Sequence, residues 1–120
     1  MSASGIAVKP EVVGRGRLVC GGAGAGVLRW ANTIDEVMGL VREGNLAETV
    51  LVTDAPSATG IVPLLGSVSG IVCRTGGLNS HIAVLAREFG IRCVLGADLD
   101  DLEIDGLAVV IAHDGRLIRA

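Results

Sequence analysis

Aromatic side chains are almost missing. The 120 residues include one Trp, one Phe and no Tyr. Proteins that hold single-stranded nucleic acid stack bases on aromatic platforms, and no such platform can be built here. Positive charge is also short: 10 basic residues face 13 acidic ones, a net charge of −3. A nucleic-acid or membrane-surface binder needs a basic patch, so neither partner is expected. Lys9 is the single lysine. It lies outside any glycine loop, which argues against a Walker A site, whose lysine must reach the nucleotide phosphates. Histidine is limited to His81 and His113, too few for a multi-histidine metal site within one chain. The three cysteines, Cys20, Cys73 and Cys93, are odd in number and scattered. They offer neither metal spacing nor a disulfide framework, and a reducing, cytoplasmic setting is expected. No run of about 18 uncharged apolar residues is available to span a bilayer. Met1 to Gly5 carries no basic stretch leading into an apolar run, so no secretory signal is expected.

What is abundant is apolar residues and glycine. Half of the chain is hydrophobic and 18 residues are glycine. A chain of this length can bury a real core, and one domain over residues 1–120 is expected. Six glycines fall between Gly14 and Gly26. They do not complete a dinucleotide fingerprint, because Val27 and Arg29 stand where the third glycine belongs. A tight turn or a close backbone crossing is the simpler reading of that run.

The periodicities alternate along the chain. Short extended pieces are expected at 12–13 and 17–20. Thr33 to Glu36 is a capping box, and Ile34, Val37, Met38 and Val41 then recur at helical spacing, so 33–43 reads as a helix closed by Gly44. Val50–Thr53 is a short β-branched strand. Asp54, Pro56 and Ser57 are helix-start residues for a short helix ending by Leu65. Ser69–Cys73 reads as a second strand, Gly76-Gly77 as a turn, Ser80–Phe89 as a helix stopped by Gly90, and Arg92–Leu95 as a third strand. Ala108–Ala112 and Arg116–Ile118 flank Asp114-Gly115, a favoured hairpin turn. Interleaved strands and helices place the chain in the α/β class.

The most informative stretch is Thr75-Gly76-Gly77-Leu78-Asn79-Ser80-His81, which runs straight into a helix. His81 sits in the first turn, about a quarter-turn from the apolar stripe centred on Leu85 and Ala86. First-turn amides lack intrahelical partners and the dipole end is positive, so an anion is favoured there. A phosphoryl group on the imidazole would meet those amides and the N–H groups of the glycine turn. Gly76 and Gly77 admit close approach, Asn79 and Ser80 offer side-chain hydrogen bonds, and Arg74 and Thr75 stand just before the turn. On residues alone two readings stay open: a phosphoryl carrier, or a polar helix start with Asn79 or Ser80 as cap. His113, beside a hairpin turn, reads as an ordinary surface residue.

The stretch from Thr75 to Gly96 resembles the phosphohistidine motif of the mobile (swivelling) domain of the phosphoenolpyruvate-utilising enzymes, the pyruvate phosphate dikinase, phosphoenolpyruvate synthase and enzyme I-like family. The resemblance extends upstream to Val52-Thr53 and Gly70-Ile71-Val72, and Gly14–Gly26 looks like the glycine-containing start of that domain. Two positions depart from the pattern: Asn79 stands where many members have Thr, and Arg92 where Pro is usual. The resemblance implies a swivelling β/β/α three-layer fold of the phosphohistidine type. It implies that His81 is the residue phosphorylated, with Asn79 and Ser80 tuning the transfer. Arg74, Thr75, Gly76 and Gly77 would then hold the phosphate. The expectation is a stand-alone phosphocarrier subunit with no cofactor or metal of its own. Mg²⁺ and ATP, or phosphoenolpyruvate, would lie on a partner: an ATP-grasp-like nucleotide-binding subunit, a phosphoenolpyruvate- or pyruvate-binding subunit, or an acceptor-binding one. The alternative is a regulatory or small-molecule-binding module that keeps the fold without turnover.

Overall fold

The computed structural model describes residues 11–54, 66–75, 81–100 and 103–120. In chain order these form β1 (Val12–Cys20), β2 (Gly24–Trp30), α1 (Ile34–Glu43), a 3₁₀ turn (Leu46–Glu48), β3 (Thr49–Thr53), β4 (Gly70–Cys73), α2 (His81–Phe89), β5 (Arg92–Leu99), β6 (Ala108–Ile111) and β7 (Arg116–Arg119). The helix expected between Asp54 and Leu65 lies outside the described residues beyond Asp54 itself.

Local chemistry explains the clearest elements. Thr33 Oγ1 accepts from the Glu36 N–H at 3.2 Å, and a Glu36 carboxylate oxygen accepts from the Thr33 N–H at 3.1 Å, which sets the start of α1. Gly44, at φ 79°, ends it. β6 and β7 form the expected hairpin around Asp114-Gly115.

The α/β, three-layer β/β/α expectation is wrong. The strands close into a seven-stranded barrel in the order β1-β5-β4-β3-β2-β6-β7, with two α-helices among the described residues. β2, β3, β4 and β5 run parallel to one another, as the alternating pattern implies. Closure comes from the other three strands, all antiparallel: β1 pairs with both β5 and β7, and β2 pairs with β6. Two local devices make it possible. Gly16 on β1 crosses β5 so closely that a Cβ there would lie 2.7 Å from Val94 Cγ1 and 2.8 Å from the Leu95 carbonyl oxygen. The β1–β5 register also slips between Arg15–Asp98 and Arg17–Leu95, around Gly96 at φ 61°. A bulge of this kind bends and twists a strand, as a barrel wall requires.

The parallel strands are buried on both faces. Leu28, Val50, Val52, Val72, Val94, Val109, Ile111 and Leu117 fill the barrel interior. Leu51, Ile71, Cys73, Cys93 and Leu95 face outward, where Val37 and Leu40 of α1 and Ile82, Ala83 and Ala86 of α2 cover them. This explains why β3 and β4 read as unbroken apolar runs rather than alternating ones. Among the described residues no helix is long and apolar enough to cross a membrane.

Candidate functional site

Because β2, β3 and β4 are parallel, their last residues Trp30, Thr53 and Cys73 share one rim of the barrel. The polar residues that follow them, Asn32, Asp54, Arg74 and Thr75, gather there. β4 and β5 are also parallel, so the chain must travel back between them, and α2 makes that return from the same rim. Its later part reaches the opposite end of the strands, where Cys20 Sγ donates to the Ala86 carbonyl at 3.6 Å, beside Cys93 near the start of β5. His81, the first residue of α2, is exposed and stands at the carboxyl-end rim.

Asp54 is the hub of the rim. Its N–H donates to Asn32 Oδ1 at 2.7 Å, and its Oδ2 accepts from Asn32 Nδ2 at 3.1 Å. Its Oδ1 accepts from Arg74 Nη1 at 2.7 Å, and its carbonyl accepts from Thr75 Oγ1 at 2.8 Å. Thr53, 2% exposed, satisfies its buried hydroxyl by donating to Asn32 Oδ1 at 2.9 Å. The Arg74 N–H continues the ladder to the Thr53 carbonyl at 3.0 Å. The segment that leads into Gly76-Gly77 is therefore moored to the end of β3.

Of the residues read as a phosphohistidine site, the structure brings Arg74, Thr75 and His81 to one rim. Gly76, Gly77, Asn79 and Ser80 lie outside the described residues. Sequence reasoning missed Asn32 and Asp54 as members of this cluster. In the sequence Asp54 shows only helix-start chemistry. The available signal was its place straight after a buried strand, the position at which α/β sheets present polar groups. Asn32 carries no such signal, because its link to Asp54 spans 22 residues and depends on β2–β3 pairing.

Burial controls the thiols. It pushes the Cys73 thiol above its usual value, and it pushes Cys93 up to about 12, with Cys73 and Cys20 nearby adding to the shift. A thiol so resistant to ionisation is a poor nucleophile. Cys73 and Cys93 are core residues of the outer, helix-covered layer.

The family described as "PEP-utilising enzyme, mobile domain" matches residues 46–115, from the 3₁₀ turn through the β6–β7 hairpin turn. The chain belongs to that family. Rifampicin phosphotransferase of Bacillus cereus is 36% identical over 79 residues, 66% of this chain and 8% of that protein. Phosphoenolpyruvate synthase of Deinococcus radiodurans is 36% identical over 88 residues, 73% of this chain and 10% of that protein. This mobile domain thus spans about a tenth of the length of the curated relatives it matches. In fold it is similar to Thermococcus kodakaraensis aconitase X, with a TM-score of 0.63 and 17% identity over 89% of this chain and 97% of that one. At that identity the likeness concerns the fold alone.

Proposed function

We propose that this mobile domain is a phosphocarrier, which takes a phosphoryl group onto His81 and passes it to an acceptor held elsewhere. The observation that carries the reading is the exposed imidazole at the first residue of α2, on the rim where Arg74 and Thr75 lead into Gly76-Gly77. Membership of a family whose relatives include a phosphotransferase and phosphoenolpyruvate synthases supports it.

In the loading step Nε2 of His81 attacks the donor phosphorus. The P–N bond forms as the bond from phosphorus to the leaving oxygen breaks, and the leaving group departs with the electron pair. While Nδ1 keeps its proton the phosphorylated ring is cationic; passing that proton to water gives the neutral N-phosphoimidazole. Unloading is the same in-line displacement with the acceptor oxygen as nucleophile. Little covalent chemistry is asked of the protein, so its contribution is position and charge neutralisation. The first-turn amides of α2, together with Gly76, Gly77, Asn79 and Ser80, are assigned to the phosphoryl oxygens. The donor, ATP or phosphoenolpyruvate, is assigned to an ATP-grasp-like or phosphoenolpyruvate-binding partner, and Mg²⁺ is assigned to that donor site.

The test is label transfer. The chain is incubated with a donor-binding partner and either labelled ATP or labelled phosphoenolpyruvate. Label is expected on His81 alone, lost in acid and stable in alkali, and absent from His81→Ala. Acid-stable label, or label that persists in His81→Ala, overturns the carrier reading. A His81→Asn variant with undiminished biological activity would return the chain to the regulatory alternative.

A further inference from the structure

Among the described residues, Arg74 is a cation on the same rim as His81, and it is committed elsewhere. Its Nη1 is engaged by Asp54 at 2.7 Å, and among the described residues no other nitrogen of its guanidinium has a partner. Asp54, in contrast, is fixed from several sides: Asn32 binds both its N–H and its Oδ2, and Thr75 binds its carbonyl. The seat is rigid and its occupant is loose. Arg74 and Asp54 side chains are 37% and 48% exposed, so water and salt screen their attraction.

We propose that Asp54, held by Asn32, is a release seat for Arg74. The guanidinium rests on the carboxylate while His81 is free and moves onto the phosphoryl oxygens once His81 is loaded. This rests on the carrier reading above. The chemistry favours the exchange. A phosphoryl group offers up to two negative charges and three acceptor oxygens in place of one singly charged carboxylate, and the planar guanidinium can grip two of those oxygens at once. Asp54 loses little when Arg74 leaves, because Asn32 still binds it and its open side faces water. Arg74 is a positioning residue that recognises the loaded state. Asp54 and Asn32 act through it and set how readily it lets go.

The experiment needs no partner. A His113→Gln background leaves His81 as the single histidine, and potassium phosphoramidate supplies the phosphoryl group directly to the imidazole. Peptide mass spectrometry locates the adduct, and ³¹P NMR follows its titration. A cation against the phosphoryl oxygens favours their dianionic form and lowers the pH at which they take up a proton. Arg74→Ala is expected to raise that midpoint by about half a pH unit or more, and Asp54→Asn, which frees Arg74, to lower it. Arg74→Lys should recover part of the loss, since it keeps charge but not the fork. Arg87 and Glu88, the other charged residues of α2, stay constant throughout. Each variant is checked for the wild-type amide spectrum first. If the adduct forms on His81 and all variants titrate together, the release seat is wrong and the carrier reading stands. If His81 stays unloaded in the folded protein, both readings fail.

Discussion

The barrel carries an arginine at each end of its parallel strands, and the two are held in different ways. Arg92 opens β5 at the amino end. Its Nε donates to the Gly22 carbonyl at 2.9 Å, Nη1 to the Ser69 carbonyl at 3.2 Å and Nη2 to the Ala23 carbonyl at 3.2 Å. Its three partners are all backbone, so the guanidinium stitches the β1–β2 turn to the start of β4. A Cβ on Gly24 would meet that guanidinium, so a side chain there would push it off its carbonyls. Arg74, at the carboxyl end, holds one carboxylate oxygen on an exposed side chain. Backbone carbonyls cannot move away and have no competing charge to accept, whereas a carboxylate is readily exchanged for a stronger anion. The same side chain therefore serves as a fixed tie at one rim and as a movable ligand at the other. Arg92 thus ties backbone segments together as well as opening β5.

The largest effect expected from this contrast is on Arg92→Ala. Hydrogen bonds from a charged donor contribute about 1.5–3 kcal/mol each, but surface carbonyls recover water, so a total loss near 2–4 kcal/mol is expected. Urea unfolding of the two alanine variants side by side is the measurement. Equal midpoints for Arg92→Ala and Arg74→Ala would remove the distinction between the two ends.

That contrast was only partly legible in the sequence. The capping box at Thr33, the apolar runs of β3 and β4, the helix after His81 and the Asp114-Gly115 hairpin are local signals, and each formed where its residues predicted. The barrel was not legible. β2 runs through Gly24, Ala25 and Gly26, which have too little side chain to show a strand period, and β1 is interrupted by Gly14 and Gly16. These same glycines permit the close strand crossings that close the sheet, so the feature that makes the barrel also hides it. At the site, His81 and Arg74 stood out through their closeness to Gly76-Gly77. Asn32 and Asp54 did not, because their meeting depends on strands brought together by the fold.

A middle-sized effect tests the amino end from its buried side. Cys93 faces Cys20 across the β1–β5 pair, and its thiol is pushed from an ordinary 9.0 up to about 12. Above pH 9 the unfolded thiol loses its proton while the folded one keeps it. The folded state then binds more protons, so stability is fully present below pH 9 and falls between pH 9 and about 12. The slope from this group is at most about 1.4 kcal/mol per pH unit. Cys93→Ala should flatten the unfolding free energy measured over that range, after its own constant loss from the cavity. An unchanged slope would mean that Cys93 is not the group responsible.

The smallest expected effect falls on the carboxyl end, and there smallness is the diagnostic. Arg74→Ala removes an ion pair between side chains 37% and 48% exposed, with a single nitrogen in contact. Such pairs contribute about 0.2–1 kcal/mol before salt screening, and the long side chain regains rotamer freedom when released. The backbone N–H of residue 74 still reaches the Thr53 carbonyl, and Thr75 still holds the Asp54 carbonyl, so residues 74 and 75 stay moored after the substitution. A change of about 0.5 kcal/mol or less is therefore expected in low salt, shrinking further at high salt as the Debye length shortens. Urea midpoints at two ionic strengths measure both. A loss above about 1.5 kcal/mol that salt leaves untouched would mark Arg74 as a structural tie like Arg92, with no freedom to leave Asp54 for a phosphoryl group.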